Sequence, residues 1–203
     1  MLHSVYTGAS ALKTFAKGME VVGNNVANVN SLGFKSQRPE YTDGFYKALL
    51  KADSTESKGA PGHQIGSGTK LGHVSGLFTQ GAIQQTGVDT DLAIYGEGFF
   101  QVRDPLAEDE VDSTFFTRAG NFSWDSQGRF VTSEGYVVQG DAGDLQMEDL
   151  TKVESFRFDK DGTLRMLMED GTEQVQQVFL TNFRVPDKLG REGGGYFSNK
   201  GDS

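Results

Sequence analysis

Val5, Leu12, Met19 and Val26 stand seven residues apart at the start of the chain, and Leu2, Ala9, Ala16 and Gly23 form a second series between them. Together they give the 4-3 spacing of a helix with an apolar seam. Phe15 and Val22 widen the stripe, while Lys13, Lys17 and Glu20 lie off it. A helix this long with so few charges is not stable alone in water. Packing on its own domain is the commoner arrangement. The second series is small, however, and small residues let another helix approach closely, which favours packing against neighbouring helices.

The helix is expected to weaken at Gly23-Asn24-Asn25 and to end between Asn28 and Gly33. Gly and Asn are poor helix formers that tolerate left-handed backbone. Four asparagines within seven residues (24, 25, 28 and 30) are more than one cap needs. Beyond it, Phe45, Tyr46, Leu49 and Leu50 suit a short helical turn or a strand, and the Ser/Gly/Pro-rich stretch after Lys51 reads as an exposed loop.

From Gly66 onward the texture changes. Short runs rich in Phe, Val and Tyr are separated by Asp125-Ser126-Gln127-Gly128, Asp159-Lys160-Asp161-Gly162 and Asp170-Gly171. Asp-to-Gly turns between such runs predict antiparallel hairpins. The fold class expected is mainly β, a hairpin-rich antiparallel body carrying a long N-terminal α-helix. The expected divisions are a helix over 1–32, a linker or extended arm over 33–69 and a β-rich body over 70–203. The final REGGGYFSNKGDS has no helical period and reads as loop.

Hydrophobic residues make up only 36% of the chain, but 15 Phe supply a core of a few large side chains and leave ample surface for partners. A net charge of -9 argues against nucleic-acid binding. With no Cys there is no thiol nucleophile, disulfide or thiolate metal site. No signal peptide is visible and no stretch approaches the ~20 apolar residues of a membrane span. The three His (3, 63 and 73) are scattered. Gly66-Ser67-Gly68 and Gly96-Glu97-Gly98 do not continue as phosphate loops. In Asp159–Gly162 the Gly comes at position four, where a calcium loop needs it at six. Glu108, Asp109, Glu110 and Asp112 read as a solvated acidic loop. Neither an enzyme nor a cofactor or metal site is expected.

Asn24-Asn25-Val26-Ala27-Asn28-Val29-Asn30-Ser31-Leu32-Gly33-Phe34-Lys35 resembles the signature NN-x-AN-x-N-[TS]-x-GFK of flagellar basal-body rod and hook proteins. Further blocks agree in order and spacing. They are Phe78-Thr79-Gln80-Gly81, Thr86-Gly87, Asp91-Leu92-Ala93-Ile94, Gly96-Glu97-Gly98-Phe99-Phe100, Phe116-Thr117-Arg118-Ala119-Gly120-Asn121-Phe122 and Gly135-Tyr136-Val137-Val138-Gln139-Gly140.

The resemblance implies a structural subunit of hook or distal-rod type that self-assembles into a helical tube for motility. Implied partners are further copies of the chain, neighbouring axial proteins and the flagellar type III export apparatus, with no nucleic acid and no membrane insertion. It also implies a place in the flagellum, reached without a cleaved signal peptide. The terminal helices of such proteins line the tube, and the N-terminal helix pairs with a C-terminal one that this sequence does not contain. A chain lacking that helix is expected to polymerise poorly. The assembly seam is assigned to Leu2, Val5, Ala9, Leu12, Ala16, Met19 and Val26. The family motif is carried by Asn24, Asn25, Ala27, Asn28, Asn30, Gly33, Phe34 and Lys35. The alternative is a secreted β-rich domain that binds a carbohydrate or protein and uses the helix as an oligomerisation handle.

Overall fold

The computed structural model describes residues 2–48, 64–107, 113–147 and 152–199. Leu49, Leu50, the loop expected after Lys51, His63 and the acidic cluster at 108–112 lie outside the described residues. The chain divides into two compact units, one made of residues 1–29 and 35–77, the other of 30–34 and 78–203.

The first unit contains the helix α1 (Leu2–Ala27). Its remaining elements are β1 (Gln37–Asp43), β2 (Tyr46–Ala48), β3 (Gln64–Gly66) and β4 (Thr69–Gly76). β1 pairs antiparallel with β4, and β2 with β3. The Phe45–Tyr46 region therefore takes the strand alternative. Gly72 is the extra residue of a bulge in β4, since Glu40 opposes His73 and Tyr41 opposes Leu71. Residues 70–76 were expected in the body. Pairing with β1 places them beside the helix instead, and much of the expected arm 33–69 is strand.

The second unit is the β body. β5 (Phe99–Arg103), β6 (Thr114–Thr117), β7 (Phe122–Trp124), β8 (Phe130–Thr132) and β9 (Val137–Gly140) form most of its main sheet. β10 (Gly143–Asp144), β14 (Leu180–Thr181), β15 (Gly190–Gly193) and β16 (Tyr196–Ser198) complete it. The order is β15-β16-β6-β5-β9-β8-β7, with β10 on β9 and β14 on β5. A separate three-stranded sheet joins β11 (Val153–Phe158), β12 (Thr163–Met168) and β13 (Glu173–Gln177) in that order. Every pairing is antiparallel, as the turn chemistry predicts. The three Asp-to-Gly turns close tightly, with Gly128 N–H donating to Asp125 O, Gly162 to Asp159 and Gly171 to Met168.

The core lies where the sheets meet. Phe100, Val102, Phe122, Phe130, Val138, Leu164 and Met166 form one buried cluster. Phe99, Phe116, Leu189 and Phe197 form a second, flanked by Phe78 and Phe183. Phe99 and Phe100 thus serve different clusters, because successive strand residues point to opposite faces. Edge-to-face rings dominate the packing, with Phe116 and Phe183 at 4.7 Å and Phe100 and Phe122 at 5.1 Å.

The segment REGGGYF is a hairpin rather than a loop. Gly193, Gly194 and Gly195 all have positive φ, so the chain turns back on itself in the space of three residues. Tyr196 and Phe197 then enter the core, and Tyr196 Oη donates to Thr132 Oγ1 at 2.9 Å.

An ion pair ties β5 to β10. Arg103 Nε donates to Asp144 Oδ1 at 3.1 Å, its Nη2 reaches Oδ2, and Gln139 Nε2 donates to Oδ1 at 2.6 Å. Burial opposes ionisation of Asp144, yet the hydrogen bonds from Arg103 and Gln139 prevail and its pKa lies below the ordinary value. A folded pKa below the unfolded one contributes stability that is present above the unfolded value, about 3.9. That stability is lost as pH falls through the folded value. Asp144→Asn is therefore expected to lower the melting temperature at pH 7 and to flatten its fall below about pH 4. Thermal melts across pH 2–7 check this, and an unchanged acid slope would exclude Asp144 as a contributor.

Candidate assembly site

The helix α1 carries two stripes on opposite sides. At 3.6 residues per turn, an offset of two residues rotates a position by ~200°. The apolar seam at 5, 9, 12, 16, 19, 23 and 26 is thus mirrored by Thr7, Ala11, Thr14, Gly18, Val21, Asn25 and Asn28, small or polar residues at the same 4-3 spacing. This second stripe packs on the β1–β4 hairpin: Thr14 and Gly18 are buried and Thr7, Ser10, Ala11, Val21 and Asn25 partly so.

Hydrogen bonds hold that face down. Ser10 Oγ and Thr14 Oγ1 both donate to Thr69 O, at 3.2 and 3.0 Å. Asn25 clamps the start of β1, its Nδ2 donating to Gln37 O at 2.7 Å while its Oδ1 accepts from Gln37 N–H at 2.9 Å. Gly18 lets the Tyr41 ring lie close against the helix, since a Cβ there would displace the Tyr41 hydroxyl. Each such bond contributes about 1 kcal/mol net.

The apolar seam stays uncovered. Val5 is 69% exposed, Leu12 74%, Met19 68% and Val26 67%. Ala9, Ala16 and Gly23 are exposed as well. Leu2 opens the helix. Isolated exposed apolar residues are ordinary, but a continuous stripe of them marks an interaction surface.

The motif residues at the end of α1 have separate tasks. Asn28 Nδ2 donates to the Asn24 carbonyl and to Asn24 Oδ1, both at 2.9 Å, reinforcing the backbone bond from Asn28 N–H to the same carbonyl. Asn25 makes the clamp on Gln37. Ala27 and Asn30 are exposed, Phe34 is half-buried and Lys35 is buried. Gly33 has φ +68°, and a Cβ on it would lie 2.5 Å from Ala119 N and 2.6 Å from Arg118 C. No other residue fits there without moving the backbone of 118–119.

Distant motif blocks converge on that point of the body. Leu92 N–H donates to Gly120 O at 2.9 Å, and a Cβ on Gly120 would overlap the Leu92 carbonyl. Thr117 Oγ1 donates to Gly195 O at 3.1 Å and accepts from Ala119 N–H at 3.1 Å. Arg118 lies over the Phe99 ring at 5.1 Å and donates to Gly96 O at 2.8 Å, and burial lowers its pKa. These residues lock the backbone of 117–120 against residues 92, 96 and 195. Among the described residues no group of three or more His, Asp or Glu is placed to hold a metal ion, and no helix is long and apolar enough to cross a membrane.

Comparison with known proteins follows the same division. Residues 5–35 match the flagella basal body rod protein family, and residues 93–166 match the flagellar hook protein FlgE/F/G D1 domain. The flagellar basal-body rod protein FlgG of Bacillus subtilis (strain 168) is 34% identical over 95% of this chain and 72% of its own length. The chain belongs to the flagellar rod and hook protein family. FlgG of Caulobacter vibrioides is 36% identical over 90% of this chain and 68% of its own length. The flagellar hook protein FlgE of Helicobacter mustelae is 35% identical over 88% of this chain, which spans only 37% of that protein.

Within this rod and hook family member, one matched segment takes in most of α1 and its exit, and the other the centre of the body. The packed stripe of α1 was missed from sequence because hydropathy does not mark it. Its signal is the second 4-3 series of small and polar residues, offset by two from the apolar one.

Proposed function

We propose that this protein is a structural subunit of the flagellar axial tube, of rod or hook type, that acts by packing and catalyses nothing. The observation that carries this reading is the two-sided helix. Its small, polar side is occupied by its own hairpin, and its apolar side runs uncovered from Val5 to Val26, about 32 Å. Burying Val5, Leu12, Met19 and Val26 against helices of neighbouring subunits would yield on the order of 8 kcal/mol before the cost of association. In this reading Leu2, Ala9 and Ala16 complete the seam, and the Asn24–Lys35 motif sets the exit from helix to body. Residues 1–32 serve the inner wall of the tube and the β body its outer part. Neighbouring axial proteins are partners, and the flagellar export apparatus delivers the chain to the flagellum.

Immunogold labelling of a tagged copy that replaces the native gene tests the proposal. Label is expected along isolated rods or hooks, and the deletion strain is expected to lack them. Intact flagella in the deletion strain, with the tag absent from isolated axial structures, would refute it.

A further inference from the structure

We propose that neighbouring copies also join body to body, the exposed segment 79–88 of one copy lying along the open part of the β13 edge, at Val175, in the next. This rests on the axial-subunit reading and adds a second contact to the helical seam. The argument begins with charge. The β-body unit holds 23 of the 28 acidic residues and 11 of the 19 basic ones, a net charge of -12. Two such bodies repel, and like charges set face to face across an interface cost several kcal/mol. Contact between them therefore requires uncharged surface.

Two long uncharged stretches reach the surface of the body, the first of them from Phe78 onward. No Asp, Glu, Lys or Arg occurs between Lys70 and Asp89, or between Glu173 and Arg184. In the first, residues 79–88 belong to no sheet, and 81–88 are exposed throughout. The segment is nonetheless anchored at both ends. Gln80 Nε2 donates to Ile94 O and its Oε1 accepts from Gly96 N–H, both at 3.3 Å, while Asp91 N–H donates to Val88 O at 3.2 Å. Between these anchors Ile83 and Val88 are about half exposed.

The second stretch contains β13, which bonds to β12 on one side; on the other, its edge is closed at Gln177, whose carbonyl accepts from Asp141 N–H at 3.1 Å, and open around Val175. Val175 is exposed on β13 itself, and Phe179 and Leu180 are exposed beyond it, Leu180 within β14. An open strand edge is a template for an added strand, and an anchored uncharged segment is a fitting one to add. Both stretches set an apolar residue before two glutamines, Ile83-Gln84-Gln85 and Val175-Gln176-Gln177.

Symmetry supports the assignment. A contact that propagates into a helical filament must be heterologous, joining two different patches of one chain. Segment 79–88 and the β13 edge are such a pair.

The chain has no Cys, so introduced thiols report without background. Ile83→Cys, Val175→Cys and the double variant are each expressed in place of the native protein. Axial structures are then isolated and treated with a short bis-maleimide. The double variant is expected to give a ladder of dimer, trimer and larger products, while each single variant remains at monomer size. Ile83→Lys is expected to reduce incorporation at least about ten-fold with its melting temperature unchanged, as befits a charge buried without a partner.

Absence of the ladder from axial structures that contain the double variant overturns the inference and leaves the helical reading intact. So does linkage of either cysteine to a different polypeptide, or equal ladders from a single variant. Failure of the unsubstituted protein to appear in axial structures at all removes the reading beneath it and the inference together.

Discussion

Leu12→Asp is expected to abolish incorporation into the axial structure and with it motility, while the isolated protein folds and melts as before. Leu12 stands at the middle of the seam and is 74% exposed, so in the free chain an Asp side chain meets water at little cost. In the proposed axial tube the same position becomes a helix–helix contact. There the substitution loses the ~2 kcal/mol gained by burying Leu and places an unpaired carboxylate in an apolar interface, a further penalty of several kcal/mol. Immunoblots of isolated axial structures and swimming assays read the first outcome, and thermal melts of purified protein the second. Normal incorporation would refute the seam assignment. A lowered melting temperature would show instead that Leu12 supports the fold of the free chain.

Gly33→Ala is expected to destabilise the body by about 3 kcal/mol, a fall of roughly 10 °C in melting temperature. Two costs combine. The left-handed backbone of Gly33 costs an L-residue about 1–2 kcal/mol. The added methyl also meets the backbone of Arg118 and Ala119, which cannot rotate away as a side chain could. Gly23→Ala is the matched control. Gly23 lies inside α1 with no atom within 4 Å of its Cβ position, so the same change is expected to stabilise the helix by about 1 kcal/mol. Shifts of the same sign in the two variants would show that the Gly33 junction does not constrain the fold.

Much of the architecture could be read before any coordinates. α1 ends at Ala27, short of the expected 28–33 and of the helix expected over 1–32, because the Gly and Asn after Val22 already break it, whereas the hairpins at 125–128, 159–162 and 170–171 follow from their Asp-to-Gly turns. Other features were hidden. REGGGYF lacks the alternation of a strand on either side of its turn, so only the burial of Tyr196 and Phe197 reveals a hairpin. β4 carries Thr, Lys, Gly, His and Ser, a composition as suited to a loop, and becomes a strand because β1 lies beside it. The motif residues were identifiable by type, but Gly33, Leu92, Gly120 and Gly195 are far apart in sequence and meet only in the folded body.

Residues a few positions apart fix the elements governed locally: the helix and its seam, its asparagine exit, the tight turns and the two uncharged windows. Tertiary structure alone decided which side of the helix the protein keeps for itself. Hydropathy ranks the apolar stripe as the one to bury, yet the hairpin takes the opposite stripe. There, small side chains let the backbones approach, and Ser10, Thr14 and Asn25 supply directional hydrogen bonds to Thr69 and Gln37. Those bonds depend on where β1 and β4 come to lie, a non-local fact that periodicity does not encode, and their effect is to leave the apolar seam exposed.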